Sequence, residues 1–223
     1  MTTVSVSEDS RPVRGEEAGL RKRLFAWALH RFNRRYEQEM AARKRGLLGG
    51  LTGTVVEIGP GTGPNLRYYA NTVRWIGIEP NSYMRAYLKR EAERTGTTAD
   101  LRDGRADAME CADDSADAVV STLVLCSVPD LRSALAEILR VLKPGGRFVF
   151  IEHVAAAPGT RLGKWQRRLR PWFHFFADGC HPDRETSRAI ESAGFAEVSV
   201  EHFDGPVPIV RPHIAGVAIK KVA

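Results

Sequence analysis

Between Thr54 and Lys220, short apolar, β-branched runs alternate with stretches whose apolar residues return every three or four positions. Thr54-Val55-Val56-Glu57-Ile58 reads as a buried strand closed by the turn Gly59-Pro60-Gly61-Thr62-Gly63. Arg74 to Glu79 predicts a second strand, Tyr83 to Arg94 a helix, and Thr98 to Arg102 a weaker strand. Ala118 to Thr122 is apolar and β-branched enough for a central strand. Leu131, Leu135, Ile138 and Leu142 have helical spacing that stops at Pro144-Gly145-Gly146, and Arg147 to Glu152 gives the next strand. A helix over Arg184 to Ala193 precedes strands at Glu197 to His202 and Ile214 to Lys220. Alternation of this kind builds βαβ units, hence a parallel sheet with helices on both faces. The last two strands have no helix between them, so they form a hairpin and bring in an antiparallel strand. The expected fold class is α/β: a doubly wound, mostly parallel, seven-stranded sheet.

Two stretches stand outside that rhythm. Residues 1–19 are polar and aperiodic and read as a disordered tail. Leu24, Ala28, Phe32, Tyr36 and Met40 then recur every four residues among Arg and Lys, which predicts one amphipathic helix over 20–48, ended by Gly49-Gly50. Its stripe either packs on the domain or associates weakly with a membrane surface, as basic amphipathic helices do. After the fifth strand, residues 155–183 carry Pro158, Gly159, Pro171, Gly179 and Pro182, with Trp165, Trp172, Phe173, Phe175 and Phe176 among basic residues. This reads as a part-helical insertion. Its aromatics either wall an apolar acceptor pocket or, with Arg161, Lys164, Arg167, Arg168 and Arg170, hold single-stranded RNA. No recognised RNA-binding module accompanies the basic run, so the pocket is preferred and no nucleic-acid partner is expected.

Composition narrows the class. A chain of 223 residues with 43% hydrophobic and 27% charged residues suits one soluble domain, here 20–223. No run of about 18 apolar residues is present to span a bilayer, and the N-terminus lacks a secretory h-region, so a cytoplasmic setting is expected. Cys111, Cys126 and Cys180 are too few and too scattered for a disulfide framework or a zinc site, and no metal is expected. The net charge of +6 speaks only to non-specific association.

Candidate chemistry gathers at the strand ends. Glu57-x-Gly59-x-Gly61-x-Gly63 lets the backbone bend tightly and pass close to a ligand, at the edge where open α/β sheets bind. A dinucleotide turn would read G-x-G-x-x-G. Here the third glycine comes one residue early and Pro64 follows, which favours a ligand without a pyrophosphate. Glu79, 20 residues after Gly59, is placed to accept both hydroxyls of a ribose. Asp107 either reaches an adenine amino group or is a solvated loop acid. Glu57 either bonds the glycine turn or faces a ligand's ammonium group.

Together, Val55 to Gly63, Gly77 to Pro80, Ser115 to Val120 and Leu142-Lys143-Pro144-Gly145-Gly146 resemble the superfamily of methyltransferases that use S-adenosylmethionine (SAM), over roughly residues 50–153. The resemblance implies SAM as cofactor, a Rossmann-like fold, and a cofactor site made of Glu57, Gly59, Gly61, Gly63, Glu79, Pro80, Asp107, Ala108 and Leu123. Arg105 stands where an adenine-side aspartate is common in that superfamily.

A narrower resemblance runs from about Phe32 to Lys220. Tyr36 to Met40, Ser121 to Val128, Glu152-His153-Val154-Ala155, Asp178-Gly179-Cys180 and Arg211-Pro212-His213-Ile214 are similar to the alkyl thiol S-methyltransferases of animal intracellular membranes and their bacterial relatives. That family implies transfer of a methyl group to the sulfur of a small-molecule thiol. The animal members' apolar anchor has no counterpart here, and Pro60 replaces a cysteine of their glycine turn. A thiol with a pKa of about 8.5 is only a few per cent thiolate at neutral pH, so a positioned base helps. The candidates are His153 first, then His174, Asp178 and His213. A C- or O-methyltransferase of quinone or polyketide type shares the cofactor motifs and stays as the alternative, with an RNA methyltransferase or a non-catalytic SAM-binding module behind it.

Overall fold

In the computed structural model, which describes residues 5–6 and 16–222, the alternation closes into one mixed sheet. Its strands are β1 (Ser5–Val6), β2 (Thr54–Ile58), β3 (Arg74–Ile78), β4 (Ala99–Arg102), β5 (Ala116–Thr122), β6 (Leu142–His153), β7 (Glu197–Asp204) and β8 (Pro212–Ile219). The helices are α1 (Glu16–Phe32), α2 (Arg34–Leu48), α3 (Ser82–Thr95), α4 (Leu131–Val141), α5 (Arg161–Phe176) and α6 (Thr186–Glu191). The strand order is β1-β4-β3-β2-β5-β6-β8-β7. Strands β1 to β6 run parallel, and β8 is antiparallel to both β6 and β7. The seven strands β2 to β8 are the expected sheet, to which β1 adds two residues beside β4.

From β2 the chain winds outward through β3 to β4, then returns to the other side of β2 with β5 and β6. The order reverses between β2 and β5, so their carboxyl ends flank the crevice where such sheets bind ligands. Because β8 is antiparallel, it starts where β6 ends: His213 lies opposite His153.

The central strands are apolar throughout because helices cover both faces. Val56, Ile76, Val119, Phe148 and Phe150 pack against Leu135 and Ile138 of α4 and Ile190 of α6. Val55, Trp75, Val120 and Val149 face Leu88 of α3 and Leu48 of α2. Helix α4 starts at Asp130, whose carboxylate accepts from the backbone N–H groups of Arg132 and Ser133, a cap that contributes about 1 kcal/mol.

On the N-terminal side the structure differs from the reading of the sequence. The disordered tail expected over residues 1–19 lies mostly outside the described residues; within them Ser5–Val6 pairs with β4, and α1 has begun by Glu16. The single helix expected over 20–48 is two helices meeting at Asn33, whose side chain donates to Glu37 Oε1 at 3.1 Å. Apolar residues four apart drift about 40° per step around a helix of 3.6 residues per turn, so one stripe cannot hold one face from Leu24 to Met40. Tyr36, Met40, Lys44 and Leu48 of α2 are buried, whereas Leu24 of α1 is exposed. The buried Lys44 ammonium donates to both oxygens of Glu37 at 2.8 Å.

Candidate active site

Strand β2 delivers the turn Gly59-Pro60-Gly61-Thr62-Gly63 to the crevice. Gly59, Gly61 and Gly63 have φ of 55°, 57° and 83°, backbone that L side chains rarely adopt. A Cβ on Gly59 would stand 2.6 Å from Val124 Cγ2, so the turn touches the loop after β5 too closely for any side chain. Beside it, β3 ends in Glu79. That carboxylate accepts from Gly61 N at 2.9 Å and Asn81 N at 2.8 Å, and Glu79 is only 6% exposed. Burial pushes Glu79 up to about 7, against the pull of those two backbone donors. Asn81 then caps α3 through its own side chain, which accepts from Tyr83 N. Above the turn lies α1: Leu29 Cδ2 is 3.6 Å from where a Gly61 Cβ would stand, and Ala26 is fully buried.

The other expected cofactor residues divide. Glu57 takes the supporting role, the first of its two readings: its carboxylate accepts from Asn65 Nδ2 (2.7 Å), the Tyr69 hydroxyl (2.8 Å) and Trp75 Nε1 (3.0 Å). It fixes the chain just after the glycine turn. Asp107 is held by the Arg105 guanidinium at 2.8 and 2.6 Å, which keeps its carboxyl below the usual range and leaves its oxygens facing Arg105. Ala108 bridges back to Arg105, with its N–H donating to the Arg105 carbonyl. Pro80 is exposed beside Glu79. Leu123 has φ 58°, and its side chain packs against the Tyr36 and Met40 cluster.

A second group of polar residues sits where β5, β6 and β8 meet. His213 is 1% exposed, and its Nδ1 lies 3.0 Å from the Arg211 carbonyl oxygen. A carbonyl only accepts, so Nδ1 carries the proton and Nε2 presents a lone pair. That Nε2 is buried without a partner. Burial lowers His213 below its ordinary value and keeps it neutral. The rings of Tyr36 and Phe203 lie 5.8 and 5.4 Å from it, and His153 meets it edge-on at 6.3 Å. Tyr36 Oη, Glu152 Oε2 and His153 Nδ1 are also buried and unpartnered, so this one group holds four of the seven such side-chain atoms among the described residues. Buried polar atoms are normally satisfied, and so many together mark a place built for a polar ligand.

His153 Nε2 lies 3.2 Å from Cys180 Sγ, and Cys126 Sγ completes a buried trio within 4.8 Å. A hydrogen bond from Cys180, with the nearby His153 ring, holds the Cys126 thiol low despite burial. Of the other candidates, Asp178 has φ 48°, and its charge adds to the upward push that burial gives Glu79. His174 is exposed on α5 and edge-on to His181. The aromatics of α5 lie mostly at the surface. Trp165, Trp172, Phe175 and Phe176 are 51%, 63%, 55% and 60% exposed, so they face solvent and α1 takes the place above the turn.

Reading the sequence singled out neither Tyr36 and Glu152 nor the gathering of Cys126, His153 and Cys180. Tyr36 and Glu152 lie within the stretches that carry the family resemblance, but nothing local marks them as part of the site. Cys126, His153 and Cys180 are each 27 residues apart, a separation without a metal-ligand rhythm, and only the fold brings them together.

The family model described as a methyltransferase domain matches residues 56–150. Human thiol S-methyltransferase TMT1A is 38% identical over 212 residues, covering 89% of this chain and 87% of that protein. Among solved structures, the [4+2]-cyclase SpnF shares the fold with a TM-score of 0.65 at 20% identity, covering 83% of this chain and 81% of its own. Phosphoethanolamine N-methyltransferase 2 of Haemonchus contortus, solved in complex with S-adenosyl-L-methionine, has a TM-score of 0.65 at 14% identity, over 88% of this chain and 60% of its own.

Proposed function

The chain belongs to the thiol S-methyltransferase family, and on that premise we propose that it transfers the methyl group of SAM to the sulfur of a small-molecule thiol. The residues at the crevice fit the cofactor. Once ionised, Glu79 offers a buried, acceptor-only carboxylate suited to two ribose hydroxyls, and the side-chain-free turn lets backbone amides come close. When bound, SAM supplies a methyl already activated on a sulfonium, so the protein's task is alignment, deprotonation of the acceptor and exclusion of water.

His213 is the base in this reading, ahead of His153. The observation that carries it is the fixed tautomer: Nδ1 is pinned on the Arg211 carbonyl, which leaves the buried Nε2 with an unpartnered lone pair in the group that holds Tyr36 and His153. The acceptor S–H gives its proton to that nitrogen while its sulfur pair forms the new S–C bond. Tyr36 and Phe203 hold the ring between them. The family membership favours sulfur over carbon or oxygen as acceptor. Incubation with isotope-labelled SAM and a panel of small thiols and phenols tests this by product mass. A labelled methyl thioether is expected; labelling of phenols alone would overturn the reading.

We infer a weak association with a membrane surface, through α1 and α5 rather than the whole of 20–48. Leu20, Leu24 and Trp27 of α1 and the four exposed rings of α5 are large apolar side chains in solvent. Arg21 ties the helices together by donating to the Phe175 carbonyl at 3.1 Å and lying over its ring. Basic residues interleaved with exposed Trp, Phe and Leu suit the boundary of an anionic bilayer. Among the described residues no helix is long and apolar enough to cross one.

A further inference from the structure

We propose that Cys126, His153 and Cys180 form a three-ligand site for a zinc-class cation, whose fourth position takes the sulfur of the acceptor thiol. The three residues come from the loop after β5, the end of β6 and the loop after α5, and all are buried. Their donor atoms lie within 4.8 Å of one another, with His153 Nε2 and Cys180 Sγ at 3.2 Å. Corners of a zinc tetrahedron stand about 3.6–3.8 Å apart, so small shifts admit an ion. Two thiolates and an imidazole are borderline-soft donors that select zinc over magnesium or calcium. Three protein ligands leave one position open, the pattern of catalytic zinc.

The loops that carry the sulfurs are clamped by backbone contacts. His181 N donates to the Cys126 carbonyl at 2.9 Å, and Arg184 Nη1 donates to the Leu125 and Val128 carbonyls at 2.7 and 2.6 Å. The site also shares the sheet edge with the chemistry. His153 touches the His213 ring, and Val124, two residues before Cys126, packs on Gly59.

A coordinated thiol is deprotonated outright. The acceptor R–SH releases its proton to His213 Nε2 and binds the divalent ion as thiolate. Its sulfur pair then forms the S–C bond as the methyl–sulfonium bond breaks. The thioether product is a weaker ligand and leaves, the ion stays divalent, and His213 returns the proton to solvent. The metal site stands apart from the functional reading above; only the identity of its fourth ligand rests on it.

The test uses the full chain purified without chelators. Elemental analysis is expected to find about one zinc per chain. Cys126→Ser and Cys180→Ser are each expected to weaken zinc at least about 100-fold in chelator competition, with SAM affinity retained. Should either serine variant unfold, His153→Gln supplies the same comparison. In cobalt-substituted protein without SAM, a small thiol is expected to strengthen the sulfur-to-cobalt charge-transfer band. The proposal is overturned by zinc far below stoichiometry, by an affinity indifferent to the substitutions, or by an intact mass two hydrogens light from a Cys126–Cys180 disulfide. A cobalt band that thiols leave unchanged overturns the substrate role. A chain that binds zinc and thiol yet methylates neither thiol nor phenol would instead sink the function and leave this site standing.

Discussion

The carboxylate of Glu79 accepts a hydrogen bond from the backbone N–H of Gly61 at 2.9 Å, joining the end of β3 to the middle of the turn after β2. The acid and the bend therefore act as one piece. Two hydrogen bonds from ribose hydroxyls to a carboxylate contribute roughly 1.5–3 kcal/mol each. Glu79→Ala is expected to weaken SAM about 100-fold or more by calorimetry. Unchanged affinity would show that the carboxylate does not touch the cofactor.

The same carboxylate makes SAM binding pH-dependent. Burial raises Glu79 to about 7, so in the folded protein it is protonated well above the usual carboxylate range. The raised value costs the folded state nothing below about pH 4.5, and its full penalty arrives only above about 7. Ribose hydroxyls bind the ionised form, so SAM affinity is expected to be about tenfold weaker at pH 6 than at pH 8. Glu79→Gln is expected to bind weakly with a flat profile over that range. A wild-type profile equally flat would contradict the linkage.

Gly59 is required twice over, by its φ of 55° and by the Val124 methyl that a Cβ would meet at 2.6 Å. Gly59→Ala is expected to destabilise the protein by about 1–3 kcal/mol in denaturant unfolding. Val124→Ala in that background removes the collision and restores part of the loss, leaving the backbone term. Equal stability of the single and double variants would show that contact with Val124 carries none of the cost.

The central sheet was legible because β2, β3, β5 and β6 are buried on both faces and so read as unbroken apolar runs. Gly59, Gly61, Gly63 and Glu79 were legible because strand ends in such sheets are where ligands bind. The failures share a cause. The four-residue stripe from Leu24 to Met40 looked continuous because spacing says nothing of a break at Asn33. The exposure of Trp172 and Phe176 was not legible, because hydrophobicity alone does not say which side of a helix faces inward. Glu57 was legible as a support of the turn, but its donors, Asn65, Tyr69 and Trp75, were not, because they lie up to 18 residues away in sequence. The group around His213 was beyond reach, since the fold gathers Tyr36, Glu152 and His153 from three separate elements.

The exposed rings of α5 make the membrane reading measurable. Trp172→Ser with Phe176→Ser removes two large, mostly exposed side chains. Transfer of such rings into an apolar boundary contributes about 1.5–3 kcal/mol when complete. Binding to vesicles rich in anionic lipid is expected to fall at least about tenfold, with SAM affinity unchanged. Wild-type protein that ignores such vesicles would remove the membrane surface as a partner.

The most direct test of the central claim is the single-turnover rate of thiol methylation from a preformed SAM complex, in wild type and in His213→Gln. A base whose lone pair is aimed by the Arg211 carbonyl is expected to supply about 10²–10⁴-fold, so the variant should slow by that factor while binding SAM as before. A His213→Gln chain that methylates thiols at the wild-type rate would contradict the account.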